Sequence, residues 1–150
     1  MAENSTPLIS FSEADILGGD NVVIYGLNLE VFPGELVYIV GKVGSGKTSI
    51  FRTITAENRL AKGSGRVCGY NLRSLRRRDV PQLRRKLGVV FQDFQLLMDR
   101  SVEDNLSFVL RATGWKGTAI VMVTHNRSIC TRYPGRIFET RDETCQEIAL

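Results

Sequence analysis

The chain has 150 residues, 43% of them apolar and 24% charged, with a net charge of +4 and three cysteines. That length suits one domain with a core of its own, and the composition is that of an ordinary globular protein, not a disordered or fibrous one. No apolar run approaches the roughly 20 residues of a membrane-spanning helix. The start, Met-Ala-Glu-Asn-Ser-Thr-Pro, lacks the basic-then-apolar order of a secretion signal. Cys68, Cys130 and Cys145 are far apart and odd in number, which reads as free thiols in a reducing compartment.

In chain order, Leu8 to Phe11 reads as a short strand, and Val22 to Val31 as a longer one interrupted by Gly26 and ended by the Pro33-Gly34 turn. Leu36 to Val40 is an apolar, partly β-branched run of strand length. It leads into Gly41-Lys42-Val43-Gly44-Ser45-Gly46-Lys47-Thr48, a full match to the phosphate-loop pattern G-x-x-x-x-G-K-[ST]. Glycines there let successive backbone N–H groups turn toward a phosphate chain. Lys47 reaches the terminal phosphates, the Thr48 hydroxyl suits Mg²⁺, and a helix over Thr48 to Glu57, with Ser49 in its first turn, points its positive end at the same place. Lys42 reads as a solvated charge.

Lys62-Gly63-Ser64-Gly65 reads as a loop, Arg66 to Gly69 as a brief strand, and Val80 to Leu87 as a helix with Pro81 in its first turn. Arg73, Arg76, Arg77, Arg78, Arg84, Arg85 and Lys86, less Asp79, give this stretch +6, leaving −2 for the rest of the chain. It reads first as a solvated helix face. Contact with anionic lipid head groups or with nucleic acid are the alternatives, and the lack of interleaved aromatics weighs against specific nucleic-acid binding.

Gly88 to Phe91 is a buried-strand pattern that reaches Gln92-Asp93. Ser101 to Asp104 reads as a capped helix start, the helix ending near Gly114. Ala119 to Val123 is a further core strand leading to Thr124-His125-Asn126, and Arg136 to Glu139 a last strand. His125, the lone histidine, has a structural reading beside a phosphate-contacting one. Trp115 is open between a surface contact and a core anchor.

Three features beyond the loop resemble the ATP-binding cassette (ABC) family: Pro33-Gly34-Glu35 before the loop strand, Arg84-Arg85-Lys86-Leu87-Gly88-Val89-Val90-Phe91-Gln92-Asp93, and Ile120-Val121-Met122-Val123-Thr124-His125. The stretch Phe94 to Asn105 is similar to the cell-division, FtsE-type branch of that family. The resemblance covers nearly the whole chain. It implies an α/β fold with a P-loop NTPase-type core, an antiparallel β edge and a truncated helical subdomain.

It also implies Mg-ATP as ligand, held by Gly41, Lys42, Val43, Gly44, Ser45, Gly46, Lys47, Thr48 and Ser49. Gln92 is implied as a sensor of Mg²⁺ or attacking water, Thr48 and Gln92 as metal contacts, and His125 as the γ-phosphate switch. A position at the cytoplasmic face of the membrane against an integral partner of the FtsX type follows from the same resemblance, as does a head-to-tail pair of cassettes. Another P-loop reading makes Asp93 the Mg²⁺-binding aspartate at a strand end. The Arg-Arg-Lys-Leu-Gly prefix favours the glutamine instead.

Departures from the family pattern are as informative. Only 33 positions separate Gln92 from His125, where an intact cassette, at roughly 220 residues in all, has roughly 100. The Leu-Ser-Gly-Gly-Glu signature, the strand-end aspartate and the catalytic glutamate are absent from the sequence. The apparent internal deletion falls near 114–117 in an otherwise single, incomplete cassette over 1–150. Ile16 stands near the place of the aromatic residue that stacks on adenine. Hydrolysis is therefore expected to be impaired, and a non-catalytic interaction module is the alternative. A central strand lost from the sheet predicts unpaired neighbours, or a switch-histidine strand that slides into the vacancy.

Overall fold

The computed structural model describes residues 6–91, 119–124 and 127–149. Two sheets face each other. The first is antiparallel, in the order β2 (Asn21–Val31), β1 (Ile9–Gly18), β4 (Leu60–Val67), β5 (Tyr70–Asn71). The second has the order β6 (Gly88–Phe91), β7 (Ile120–Thr124), β3 (Leu36–Gly41), β8 (Arg136–Arg141), β9 (Thr144–Ile148). Its first four strands run parallel, and β9 returns antiparallel along β8. Helix α1 (Lys47–Ile54) follows the phosphate loop, α2 (Val80–Arg85) precedes β6, and α3 (Ser128–Arg132) links β7 to β8.

Strand alternation decides the layers, because successive side chains on a strand point to opposite faces. On β3, Val37 and Ile39 join the larger core, with Val121, Val123, Phe138 and residues of the antiparallel sheet and α1. Tyr38 and Val40 point the other way, to a smaller core with Ile120, Met122, Ile137 and Cys130. A strand buried on both faces needs the unbroken apolar run seen at Leu36 to Val40. Each fully buried aliphatic side chain here contributes about 1.5–3 kcal/mol.

Several boundaries differ from the sequence expectation. β1 extends to Gly18, and β9 was not foreseen. The largest correction is at Lys62 to Gly65, expected as a loop and found inside β4. Gly63 is there because β1 bulges toward it: a Cβ would lie 2.2 Å from Glu13 O, and Glu13 itself has φ 47°. The glycine marks a close approach of backbones, not a turn. α1 and α2 end at Ile54 and Arg85, each shorter than predicted.

β7 is hydrogen-bonded to β3 on one side and to β6 on the other, Val121 facing Val37 and Val89. β6 and β7 are thus adjacent in the sheet, so the unpaired strands expected there are not found among the described residues. The helix expected from Ser101, the Gly114–Gly117 junction, Gln92 and His125 lie outside the described residues.

Candidate functional site

The site is assembled where β3 stops. Its neighbours β7 and β8 run parallel to it, so all three strands present their C-terminal ends on one edge, with Val40 opposite Thr124 and Gly41 opposite Thr140. The chain then turns through Lys42 to Gly46 and enters α1 at Lys47. Gly44 and Gly46 have φ 83° and 106°, values that turn the backbone in a direction L side chains resist.

Lys47 is 8% exposed, and its ammonium lies inside the loop, donating to Gly41 O at 2.5 Å and Lys42 O at 2.8 Å. The loop thus holds its own cation at the centre of its curve. Ser45 N donates to Lys42 O at 3.1 Å, and Ser45 Oγ lies 2.6 Å from the same oxygen. Ser45 Oγ and Thr140 Oγ1 stand 2.5 Å apart, and Thr140 in turn donates to Val40 O at 3.1 Å. β8 therefore braces the loop from the side.

No side chain caps α1 at Gly46, and its first turn carries no acidic residue. Backbone N–H groups at a helix start lack intrahelical partners and carry a partial positive charge. With Lys47 alongside, this end of the sheet suits a chain of anionic phosphates. Thr48 is exposed beside it. Among the described residues no three His, Cys, Asp or Glu side chains cluster as a metal site. A divalent ion here would rest on the Thr48 hydroxyl and on phosphate oxygens, a mode that suits Mg²⁺.

A cleft of about 750 Å³ opens beside the loop, walled by Gly41, Lys42, Val43 and Ser45 and, across from them, by Arg127, Glu139 and Thr140. Its size falls within the range of small-molecule sites. Arg127 and Glu139 form an ion pair in that wall.

Gly41 to Ser49 lie together in one turn and one helix start. Gln92 and His125 are outside the described residues. Ile16 is fully buried in the core of the two sheets and offers no surface for stacking on a base. Thr140, Arg127 and Glu139 escaped the sequence reading. Thr140 is 95 residues from the Ser45 it touches, and nothing local marks it.

A mostly parallel sheet whose central strand ends in a glycine loop around a buried lysine, at the head of a helix, defines a P-loop nucleotide-binding domain. The family model described as ABC transporter matches residues 24–148. The chain belongs to the ABC transporter family, as an ATP-binding domain.

Among its curated relatives is the cell division ATP-binding protein FtsE of Streptococcus pneumoniae strain D39. The two are 43% identical over 89 residues, covering 59% of this chain and 39% of that protein. The FtsE of Escherichia coli K12 is 35% identical over 102 residues, covering 68% of this chain and 46% of its own length. The chain therefore matches less than half the length of these relatives. The fold is similar to CbiO1 of Clostridium perfringens, part of the ABC transporter complex CbiONQ. That likeness has a TM-score of 0.72 at 15% identity over 95% of this chain and 87% of that one.

Proposed function

We propose that this chain is a shortened ATP-binding subunit of the FtsE type, binding Mg-ATP at Gly41 to Ser49. The observation that carries the reading is the Lys47 ammonium seated in its loop, bonded to Gly41 O and Lys42 O at the uncapped start of α1. Incoming phosphate oxygens take over as partners of that ammonium, while the backbone N–H groups of the loop orient them. Thr48 and Gln92 are the metal contacts in this scheme, and His125 contacts the γ-phosphate. Bound Mg²⁺ supplies neutralisation of charge on the phosphates.

Hydrolysis is impaired in this proposal. The sequence has no strand-end glutamate to activate water and no signature motif with which a second copy would close the site. Loss of general-base help alone costs about 10²- to 10⁴-fold. The short spacing of 33 positions between Gln92 and His125 is what supports a missing central block near 114–117.

By its similarity to FtsE, the chain would act at the inner face of the cell membrane against an integral partner of the FtsX type, alone or as a homodimer. The missing catalytic carboxylates favour a second reading, a non-catalytic module that docks on that partner. Calorimetry of Mg-ATP into the folded chain, with Lys47→Ala beside it, tests the proposal. Binding that the substitution abolishes supports it. A folded chain that binds no nucleotide overturns it in favour of the docking module, and turnover lost in Lys47→Ala overturns the claim of impaired hydrolysis.

A further inference from the structure

We infer that the basic surface at the C-terminal end of α1 is a contact site for the anionic phosphate head groups of a lipid bilayer. Two hydrogen bonds build this surface. Arg84 Nε donates to Thr55 O at 3.0 Å, fixing α2 against the last turn of α1, and an Arg73 N–H donates to Gly63 O at 2.9 Å, fixing the segment after β5 against β4. Between them opens a cleft of about 500 Å³ with Arg59, Arg73 and Arg77 on its walls, beside Asn58 and Ser74.

The acidic residues nearby are already engaged. Glu57, which also lines the cleft, pairs with Arg52 at 3.6 Å, and Asp79 pairs with Arg76 at 3.2 Å. Arg59, Arg77, Arg78 and Arg85 are exposed, and among the described residues none of them makes an ion pair. Arg59 and Arg77 stand on one cleft with Arg73, and like charges gathered there repel one another, a repulsion that an external anion relieves. Guanidinium forks match phosphate oxygens in geometry as well as charge.

A bilayer suits this surface better than nucleic acid. Its aromatic residue, Tyr70, has its ring covered by the Lys86 ammonium at 5.5 Å and its hydroxyl bonded to Gln82 at 3.0 Å. A cation thus already occupies a face of that ring, which disfavours stacking of a base on it. The position also fits. α1 carries the phosphate loop at its start and this surface at its end, about 12 Å further on for eight residues, so a membrane touching the arginines leaves the nucleotide cleft uncovered. The inference goes beyond docking on a protein partner, and its test does not depend on nucleotide binding.

The test is sedimentation of the full chain with vesicles of phosphatidylcholine alone or mixed with phosphatidylglycerol, at low and at physiological salt. The chain should pellet with the mixed vesicles only, and less at the higher salt. Each basic residue at a membrane surface is worth about fivefold in affinity, so Arg59→Gln/Arg77→Gln/Arg78→Gln should weaken binding about a hundredfold. The matching triple change to lysine keeps the charge and should stay within about threefold of the unsubstituted chain. These side chains anchor no described hydrogen bond, and circular dichroism checks that both variants fold. Equal binding to neutral vesicles, no binding to either, an unaltered glutamine variant, or tighter binding to duplex DNA at equal phosphate concentration would each overturn the inference.

Discussion

Gly41 and Thr140 approach so closely that only hydrogen fits between them: a Cβ on Gly41 would stand 2.0 Å from Thr140 Oγ1 and 2.8 Å from Thr140 O. The last residue of the loop strand and the strand that braces it are thus packed backbone against hydroxyl. Thr140 is 3% exposed, so it has nowhere to retreat. Gly41→Ala should cost about 1–3 kcal/mol through overpacking. It should also displace the carbonyl that holds Lys47. Urea denaturation reads the first effect, and loss of Mg-ATP binding in the variant at temperatures where it is still folded reads the second.

Arg136 ties the two sheets together. Its guanidinium donates to Glu30 O at 2.7 Å, to Glu35 at 2.9 Å and to Glu147 at 2.9 Å. Arg136→Met should destabilise the chain by about 0.5–1.5 kcal/mol, because the bridge from Glu30 O to the carboxylates of Glu35 and Glu147 is lost while the freed groups keep access to water. The bond from Arg136 also holds the Glu147 carboxyl below its usual range. A lowered folded value stabilises above the ordinary carboxylate pKa of about 4.3 and is lost as pH falls through the folded value. Denaturation between about pH 5 and pH 3 should show a shallower acid loss in the methionine variant than in the unsubstituted chain.

Burial pushes the Cys145 thiol up to about 12, and burial above all, with Cys130 and Tyr133 as neighbours, pushes the Tyr38 hydroxyl up to about 12. In the unfolded chain such groups ionise near about 8.5 and 10. The unfolded state therefore releases its protons first, and stability should fall as pH rises from about 8.5 toward 12. Cys145 should resist iodoacetamide at pH 8 in the folded chain, since the thiolate is the reactive form, and react once urea unfolds it. Mass spectrometry of the labelled peptides distinguishes it from Cys68 and Cys130.

With Ile16 buried between the sheets, the proposed site would recognise a nucleotide through its phosphates. An aromatic stack on a base is worth about 1–3 kcal/mol, and its loss should leave Mg-ATP and Mg-GTP within about tenfold of each other. Competition of unlabelled GTP against a fluorescent ATP analogue measures the ratio. A preference for ATP beyond a hundredfold would require a base contact from elsewhere in the chain.

Much of this protein is written in short stretches of sequence. The phosphate loop needs only its own glycines, lysine and threonine, and the apolar run before it declares a strand buried on both faces. Local rules cover such features because the controlling interactions lie within a few residues, as with Lys47 and the carbonyls of Gly41 and Lys42. The free thiols were legible from the odd number and wide spacing of the cysteines. Ends of elements were less so: Lys62 to Gly65 has turn composition, yet β1 draws it into a sheet by pairing along its length.

What the chain could not declare locally is which distant strands meet. That Thr140 stands against Ser45, that Arg136 reaches Glu30 and Glu147, and that β6 joins β7 directly are consequences of sheet order. Sheet order is decided by burying both faces of β3 at once and by pairing every interior backbone group. Those demands act across the whole molecule. The sequence by itself determined the phosphate-binding turn and the family; the tertiary structure alone decided what braces that turn and which surface is left positively charged at the far end of its helix.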